Sequence, residues 1–125
     1  MVVSAGSLRS THGVVMAHRW TPDGVVVETE FTGAHLYHLA AAGCVLNDVY
    51  RESDRLGVPV DGVRVRAYGG FNTTTWASTG VLYEIELASE ADDEDVARLV
   101  TVVDDVAEIP RALRAGTTVS RHISN

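Results

Sequence analysis

The stretch AHLYHLAAAGCVLNDVYRESDRL, residues Ala34–Leu56, decides how this chain folds. It contains no proline and is rich in alanine and leucine, which favour the α-helix. From Leu36 to Leu46 the stretch is apolar on every side of a helix except at His38, and this pattern predicts a helix buried in the interior. Gly57 is a favourable residue for ending the helix. After Leu46 the pattern becomes amphipathic, with polar side chains predicted to face water at Asn47, Asp48, Arg51, Glu52, Asp54 and Arg55.

Length, charge and cysteine content limit the class of protein. We expect 125 residues to form a single domain spanning residues 1–125. The net charge of −7 disfavours binding to nucleic acid or to an anionic membrane. The chain lacks a signal peptide and any apolar run of roughly 18 residues, the length that a membrane span needs, so we expect a soluble cytoplasmic protein. A single cysteine, Cys44, excludes an internal disulfide and a multi-cysteine zinc site.

The rest of the chain predicts strands before and after this helix, followed by two more helices. Apolar residues recur at three- and four-residue spacing in Asp92–Val106, which predicts an amphipathic helix. Pro110 is suited to the start of a short helix that Gly116 ends. β-Branched runs and alternating patterns predict strands. These are Val2–Leu8, Val14–His18, Val25–Thr29, Gly62–Tyr68, Trp76–Leu87 and Thr117–Ile123. The order predicts an α+β domain, with antiparallel strands around one long buried helix.

Cys44 is the candidate reactive group. A thiol is nucleophilic as the thiolate, and burial among apolar side chains raises the pKa of the thiol. Its neighbours on the same helical face are Tyr37, Ala40, Ala41, Asn47 and Asp48. None of these is a cation, and the charge of Asp48 would oppose ionisation of the thiol. Reactivity would therefore require an arginine from another segment of the chain. The alternative is that Cys44 is a small buried apolar residue.

His35 and His38 lie three residues apart and would share one face of the helix. They could hold a metal ion only with a third ligand from elsewhere, since a catalytic zinc generally needs three protein ligands. Cys44 follows His35 by nine residues, about 900° of rotation, which places it on the opposite side. We therefore predict neither a metal site nor a cofactor, and interpret the histidines as polar residues near the start of the helix.

Three segments, taken in order, resemble the OsmC/Ohr family of thiol-dependent hydroperoxide-reducing proteins. They are LYHLAAAGCVLNDVY (residues 36–50), GVPVDGVRVRAYGGF (57–71) and ADDEDVARLVTVVDDVAEIPRALRAGTTVS (91–120). The resemblance spans roughly Trp20 to Ile123, and the order and spacing of the segments carry it. It implies an OsmC-like α+β fold and an intertwined homodimer.

The resemblance also implies roles for single residues. Cys44 takes the place of the cysteine that attacks the peroxide. A second cysteine, which forms a disulfide with the first in this family, aligns with Ala107, so this chain lacks a resolving thiol. The activating arginine of the family comes from the N-terminal strands, where Arg9 is our preferred match and Arg19 the second. The family also has a glutamate about ten residues before the first cysteine, where it positions the arginine. That place falls on Ala34 or His35 in this chain, so the carboxylate is missing too.

Our leading interpretation is a divergent, single-cysteine thiol peroxidase in this family. Its reduction of organic hydroperoxides through Cys44 would be reduced or lost without the resolving thiol, and any turnover would depend on an external thiol reductant. The alternative is a non-catalytic dimeric binding module that holds an apolar or lipid-like small molecule at the dimer interface; a purely structural dimer is a third possibility. The candidate substrate-binding residues are Tyr37, His35 and Trp20, although aromatic residues at these positions also suit an ordinary core.

Overall fold

A five-stranded antiparallel sheet and three helices make up the described part of the chain, residues 1–117 and 119–122 of a computed structural model. The strands are β1 (Val2–Gly6), β2 (Val14–Met16), β3 (Val25–Glu28), β4 (Gly62–Phe71) and β5 (Ser78–Ala88). The helices are α1 (Gly33–Leu56), α2 (Asp93–Val106) and α3 (Glu108–Ala115). The predicted α+β class, with antiparallel strands around a long central helix, is confirmed.

The sheet has the strand order β2-β3-β1-β4-β5, so the first strand of the chain lies at its centre. There Val3 is paired with Val27 of β3 on one side and with Val65 of β4 on the other. Strands β4 and β5, which follow each other in the chain, pair as an antiparallel hairpin. Along β5 the glutamates Glu84 and Glu86 are exposed, and the residues that alternate with them, Tyr83, Ile85 and Leu87, are half-buried, as the alternating pattern predicts.

Helix α1 begins and ends through local chemistry that the sequence specifies. The side chain of Thr32 caps the first turn, where its hydroxyl oxygen accepts a hydrogen bond from the backbone N–H of His35 at 3.1 Å. Gly57 ends the helix in the left-handed conformation, with φ of 68°, which glycine adopts without a steric penalty. The predicted bounds of this helix are confirmed to within one residue.

Burial along α1 differs from the prediction at two places. Leu36 is 37% exposed and Ala40 is exposed, so the first turns are not buried on every side. Asp48 and Glu52, predicted to face water, are only 2% and 5% exposed. This prediction was wrong because α2 and α3 pack against α1, and the sequence of a helix does not reveal what covers its polar side.

Helix α2 completes the core through the predicted apolar stripe, with Leu99 and Val103 fully buried. Ala107 ends α2 and caps α3, and it is also fully buried. Helix α3 begins at Glu108, two residues before the predicted start at Pro110. It ends at Gly116, which has φ of 74°.

Five of the predicted strands are present, with ends that differ from the prediction by one to three residues. Strand β5 begins at Ser78 rather than Trp76, because residues 72–77 form a turn in which the side chain of Asn72 accepts hydrogen bonds from the N–H groups of Thr74 and Thr75. Of the strand predicted at Thr117–Ile123, Thr117 and residues 119–122 are not in a strand, and Thr118 and Ile123 lie outside the described residues. Within the described residues, the helices are too short or too polar to cross a membrane.

Candidate active site

Cys44 lies near the middle of α1, where α3 packs against it, and is 8% exposed. Burial is the largest influence on its thiol and raises the pKa. The backbone N–H groups of Ile109 and Glu108, in the first turn of α3, oppose this shift because they can donate hydrogen bonds to a thiolate. The negative charges of Asp48 and Glu108 add to the rise.

Two carboxylates stand beside the sulfur. One ligand atom from each of Cys44, Asp48 and Glu108 lies within 4.8 Å of the other two. Burial raises the pKa of Asp48 to about 6; the Arg51 guanidinium opposes the rise, and the charges of Glu108 and Glu52 contribute to it. The thiol therefore lies in an acidic environment rather than the electropositive one typical of activated cysteines.

Arg51 is the cation of this cluster, and its guanidinium is shared among three carboxylates. Its Nη2 lies 3.0 Å from Oδ2 of Asp48, its Nε 3.5 Å from Glu52, and its Nη1 3.8 Å from Glu108. The neighbours of Cys44 considered in the sequence did not include Arg51. Arg51 follows Cys44 by seven residues, close to two helical turns, so the spacing alone could have identified it.

A cavity of about 320 Å³ lies against α3, the helix that begins at Glu108. It lies between α1, β5 and α3, and its lining includes Tyr37, Ala41, Tyr83, Pro110 and Arg114. Ala41 is one helical turn before Cys44, and Pro110 directly follows the residue whose N–H faces the sulfur. The two helices that meet at Cys44 therefore both line the cavity, although Cys44 itself is not among the lining residues. The cavity combines apolar walls with a phenol and a guanidinium.

The fold is similar to solved structures of OsmC-like and organic hydroperoxide resistance proteins. An OsmC-like protein from Mycoplasma pneumoniae superposes with a TM-score of 0.63 at 11% identity, over 70% of this chain and 64% of that one. An OsmC-like hydroperoxide resistance protein from Jannaschia sp. gives 0.54 at 17% identity, over 75% and 67%. The organic hydroperoxide resistance protein OhrB of Bacillus subtilis gives 0.54 at 14% identity, over 81% and 87%. The chain has the OsmC-like fold.

The likeness concerns three-dimensional structure at low sequence identity. No family model matches the sequence, and no curated protein matches it either. The matched region spans less than two thirds of the Mycoplasma protein. Activity in this OsmC-like chain therefore has to be argued from its own residues.

Ala107 lies close to the cysteine in the fold. It is fully buried in the same core cluster as Cys44, and the two residues that follow it present their N–H groups to the sulfur. This neighbourhood is the one that a disulfide partner would need. The assignment of Ala107 to the position of a resolving cysteine stays a prediction.

The two predicted activating arginines make contacts elsewhere in this OsmC-like chain. Arg9 donates a hydrogen bond from Nη1 to the backbone oxygen of Asp23 at 2.8 Å. The guanidinium of Arg19 lies 5.5 Å from the centre of the Trp20 ring. A role for either arginine at Cys44 stays a prediction.

The three predicted substrate-binding residues line three different cavities. Tyr37 lines the one against α3. Trp20 lines an apolar cavity of about 400 Å³ between β2, β3 and α1, together with Leu39 and Leu46. His35 lines a third, of about 200 Å³, near the start of α1. A role for any of the three in binding a substrate stays a prediction.

The helix histidines lie near the N-terminal end of α1. His35 contacts the Thr32 hydroxyl through Nδ1, and its Nε2 lies 3.7 Å from a Glu30 oxygen. His38 is buried against Tyr37 and Phe71, with ring centres 5.6 and 6.0 Å away. Its Nε2 makes no hydrogen bond within the described part of the chain, and burial lowers its pKa. These contacts favour a neutral ring that fills space in the core.

Proposed function

We propose that this chain is a single-cysteine thiol peroxidase of the OsmC/Ohr family, which reduces organic hydroperoxides slowly through Cys44. One observation carries the proposal: the sulfur lies where α1 meets α3, facing the N–H groups of Glu108 and Ile109. These donors favour the thiolate that the reaction needs. The structural likeness to hydroperoxide resistance proteins supports the choice of oxidant class.

The reaction has two stages. The thiolate of Cys44 attacks the terminal peroxide oxygen of ROOH, and the O–O bond breaks to give the sulfenic acid. The alkoxide RO⁻ leaves as the alcohol ROH, taking up the proton that the thiol released when it ionised. An external thiol then attacks the sulfenic sulfur and releases water, which gives a mixed disulfide. A second external thiol releases Cys44 and carries away the disulfide. The external thiols take the place of an internal resolving cysteine, because this chain has Ala107 at the position with which that cysteine aligns.

The environment of the thiol accounts for a slow reaction. Burial, together with the charges of Asp48 and Glu108, raises the pKa of Cys44, which lowers the fraction of thiolate at neutral pH. The N–H groups of α3 offset only part of this effect. We expect oxidation at Cys44 to be measurable but slower than at an activated cysteine.

The cavity beside Tyr37 supports an apolar hydroperoxide as the substrate. Its volume of about 320 Å³ falls at the low end of the range typical of small-molecule pockets. Ala41, Val81 and Leu113 offer apolar contacts, and the guanidinium of Arg114 offers a donor for the peroxide or the leaving alcohol.

We further propose that the chain acts as a homodimer in the cytoplasm. The edge strand β2 is exposed along its whole length, with Val14, Val15 and Met16 exposed by 66%, 60% and 56%. Phe31 is 89% exposed. These exposed apolar side chains form the kind of surface that another chain often covers, and a second copy of this chain would do so.

The test is to treat the reduced protein with a slight excess of cumene hydroperoxide, trap sulfenic acid with dimedone and measure the intact mass. The proposal predicts one dimedone adduct on the native chain and none on Cys44→Ser. A native chain whose thiol stays unmodified under these conditions would refute it. Size-exclusion chromatography with light scattering tests the dimer, and a monomer at micromolar concentration would refute that part.

The apolar cavity between β2, β3 and α1 favours a second candidate, a binding module. Trp20, Leu39 and Leu46 line it, and its volume of about 400 Å³ exceeds that of the cavity against α3. In this case the purified protein would retain an apolar ligand visible by native mass spectrometry. Trp20→Ala would release the ligand, whereas Cys44→Ser would not. A ligand-free spectrum, together with failure to bind a fatty-acid probe, would rule the candidate out.

A further inference from the structure

We propose that Cys44, Asp48 and Glu108 form a binding site for a thiophilic divalent cation such as Zn²⁺. They come from two segments that are distant in sequence, the middle of α1 and the start of α3. The donor set is one sulfur and two carboxylate oxygens, all of which are accepted zinc ligands. This proposal departs from our sequence-based expectation of no metal site, which considered the histidines, and it does not depend on peroxidase activity.

The distances suit a three-ligand site. The three donor atoms lie within 4.8 Å of one another. With zinc–sulfur and zinc–oxygen bonds of about 2.3 and 2.0 Å, donors around a tetrahedral ion are separated by about 3.3 to 3.5 Å. The limit of 4.8 Å exceeds these separations by at most about 1.5 Å. Glu108 has room to approach the other two donors because its side chain is 66% exposed. Three protein ligands leave the fourth position for water.

The side chain of Asp48 gives independent support. It is 3% exposed, and its Oδ2 makes no hydrogen bond within the described part of the chain. Arg51 Nη2 lies 3.0 Å from that oxygen as an ion pair, but without the alignment of a hydrogen bond, and the same guanidinium also serves Glu52 and Glu108. This buried oxygen therefore has an ion-pair partner but no aligned hydrogen bond, and a bound cation would give it a direct ligand bond.

The charge of the cluster matches a divalent ion. Asp48, Glu52 and Glu108 contribute three negative charges, and Arg51 and Arg55, which pair with them, contribute two positive ones. One negative charge is left over, and a deprotonated Cys44 adds a second. A divalent cation would neutralise both and stabilise the thiolate that burial otherwise disfavours.

The test titrates reduced, chelator-treated protein with Zn²⁺ in competition with a chromophoric chelator, and with Co²⁺ as a spectroscopic probe. We expect one ion per chain, proton release on binding, and a sulfur-to-cobalt charge-transfer band. Cys44→Ser, Asp48→Asn and Glu108→Gln should each weaken binding by at least about tenfold, since even outer-shell changes cost that much. Cys44→Ser should also remove the band.

Glu94→Gln is the matched control, because it neutralises an exposed acid in the first turn of another helix and should leave affinity unchanged. Glu108 is exposed, so its variant should fold normally, and circular dichroism checks this. The proposal is overturned if the native protein binds no stoichiometric zinc. It is also overturned if Glu108→Gln or Cys44→Ser binds as tightly as the native chain, or if cobalt binds without the sulfur band.

Discussion

Replacing Asp48 by asparagine should make the protein's stability less sensitive to pH. Folding raises the pKa of this carboxyl from its ordinary 3.8 to about 6, chiefly through burial. That shift corresponds to about 3 kcal/mol, because one pKa unit is worth about 1.4 kcal/mol. The folded state binds the proton more tightly than the unfolded state. The contribution to stability is therefore complete below pH 3.8 and is lost as the pH rises through about 6.

The measurement is the free energy of unfolding in urea for the native chain and Asp48→Asn, at about pH 4.5 and about pH 7.5. Between these values the native chain should lose about 2 of the 3 kcal/mol relative to the variant, since part of the loss occurs below pH 4.5. The quantity to compare is the difference in the free energy of unfolding between the two proteins, and how that difference changes between the two pH values. Any pH-independent cost of burying an amide cancels from that change, as do the titrations that both proteins share.

Asp54→Asn is the control, since it removes the same charge from an exposed position of α1. Arg51 retains Glu52 and Glu108 at 3.5 and 3.8 Å in the Asp48 variant, so it is not left as an isolated charge. If the stability difference between the native chain and Asp48→Asn is the same at both pH values, or shifts in favour of the native chain as the pH rises, the argument for a costly buried carboxylate fails.

Three further substitutions test the fold and the position of the missing thiol. Ala107→Cys should form a disulfide with Cys44 under mild oxidation; two thiols still titrating with Ellman's reagent would refute the alignment. Gly57→Ala should lower the free energy of unfolding by about 1 to 2 kcal/mol because its φ is 68°. Gly33→Ala is the control, and an equal loss of stability in both variants would contradict the claim that the positive φ of Gly57 requires glycine. Leu99→Ala should cost about 2 to 5 kcal/mol in urea denaturation because Leu99 is fully buried, and a loss below about 1 kcal/mol would contradict this.

The sequence was a sufficient guide where structure depends on neighbouring residues. The Thr32 cap and the Gly57 terminator set the ends of α1 through hydrogen bonds and backbone freedom within one turn. The alternation along β5 similarly reflects which side chains of a strand face water, so the hairpin was predictable. Each of these features is encoded within a few consecutive residues.

The candidate site was harder to predict because it depends on contacts between distant segments. Helical spacing places Asp48 and Arg51 on the face of Cys44, but only the packing of α3 brings Glu108 to the same point. That packing also buries Asp48, which the amphipathic pattern had assigned to the solvent. Likewise, the chain pattern could not show that Trp20 and Tyr37 line separate cavities.

The two proposals for Cys44 follow from opposing forces on one sulfur. The N–H groups of Ile109 and Glu108 favour the thiolate, whereas burial and the carboxylate of Asp48 favour the protonated thiol. A peroxide gains nothing from the carboxylates, because its leaving oxygen develops negative charge beside them. A cation gains from the carboxylates and the thiolate alike. Carboxylates beside the thiol therefore make it a poorer nucleophile and a better metal ligand, the two properties that the oxidation and zinc experiments measure separately.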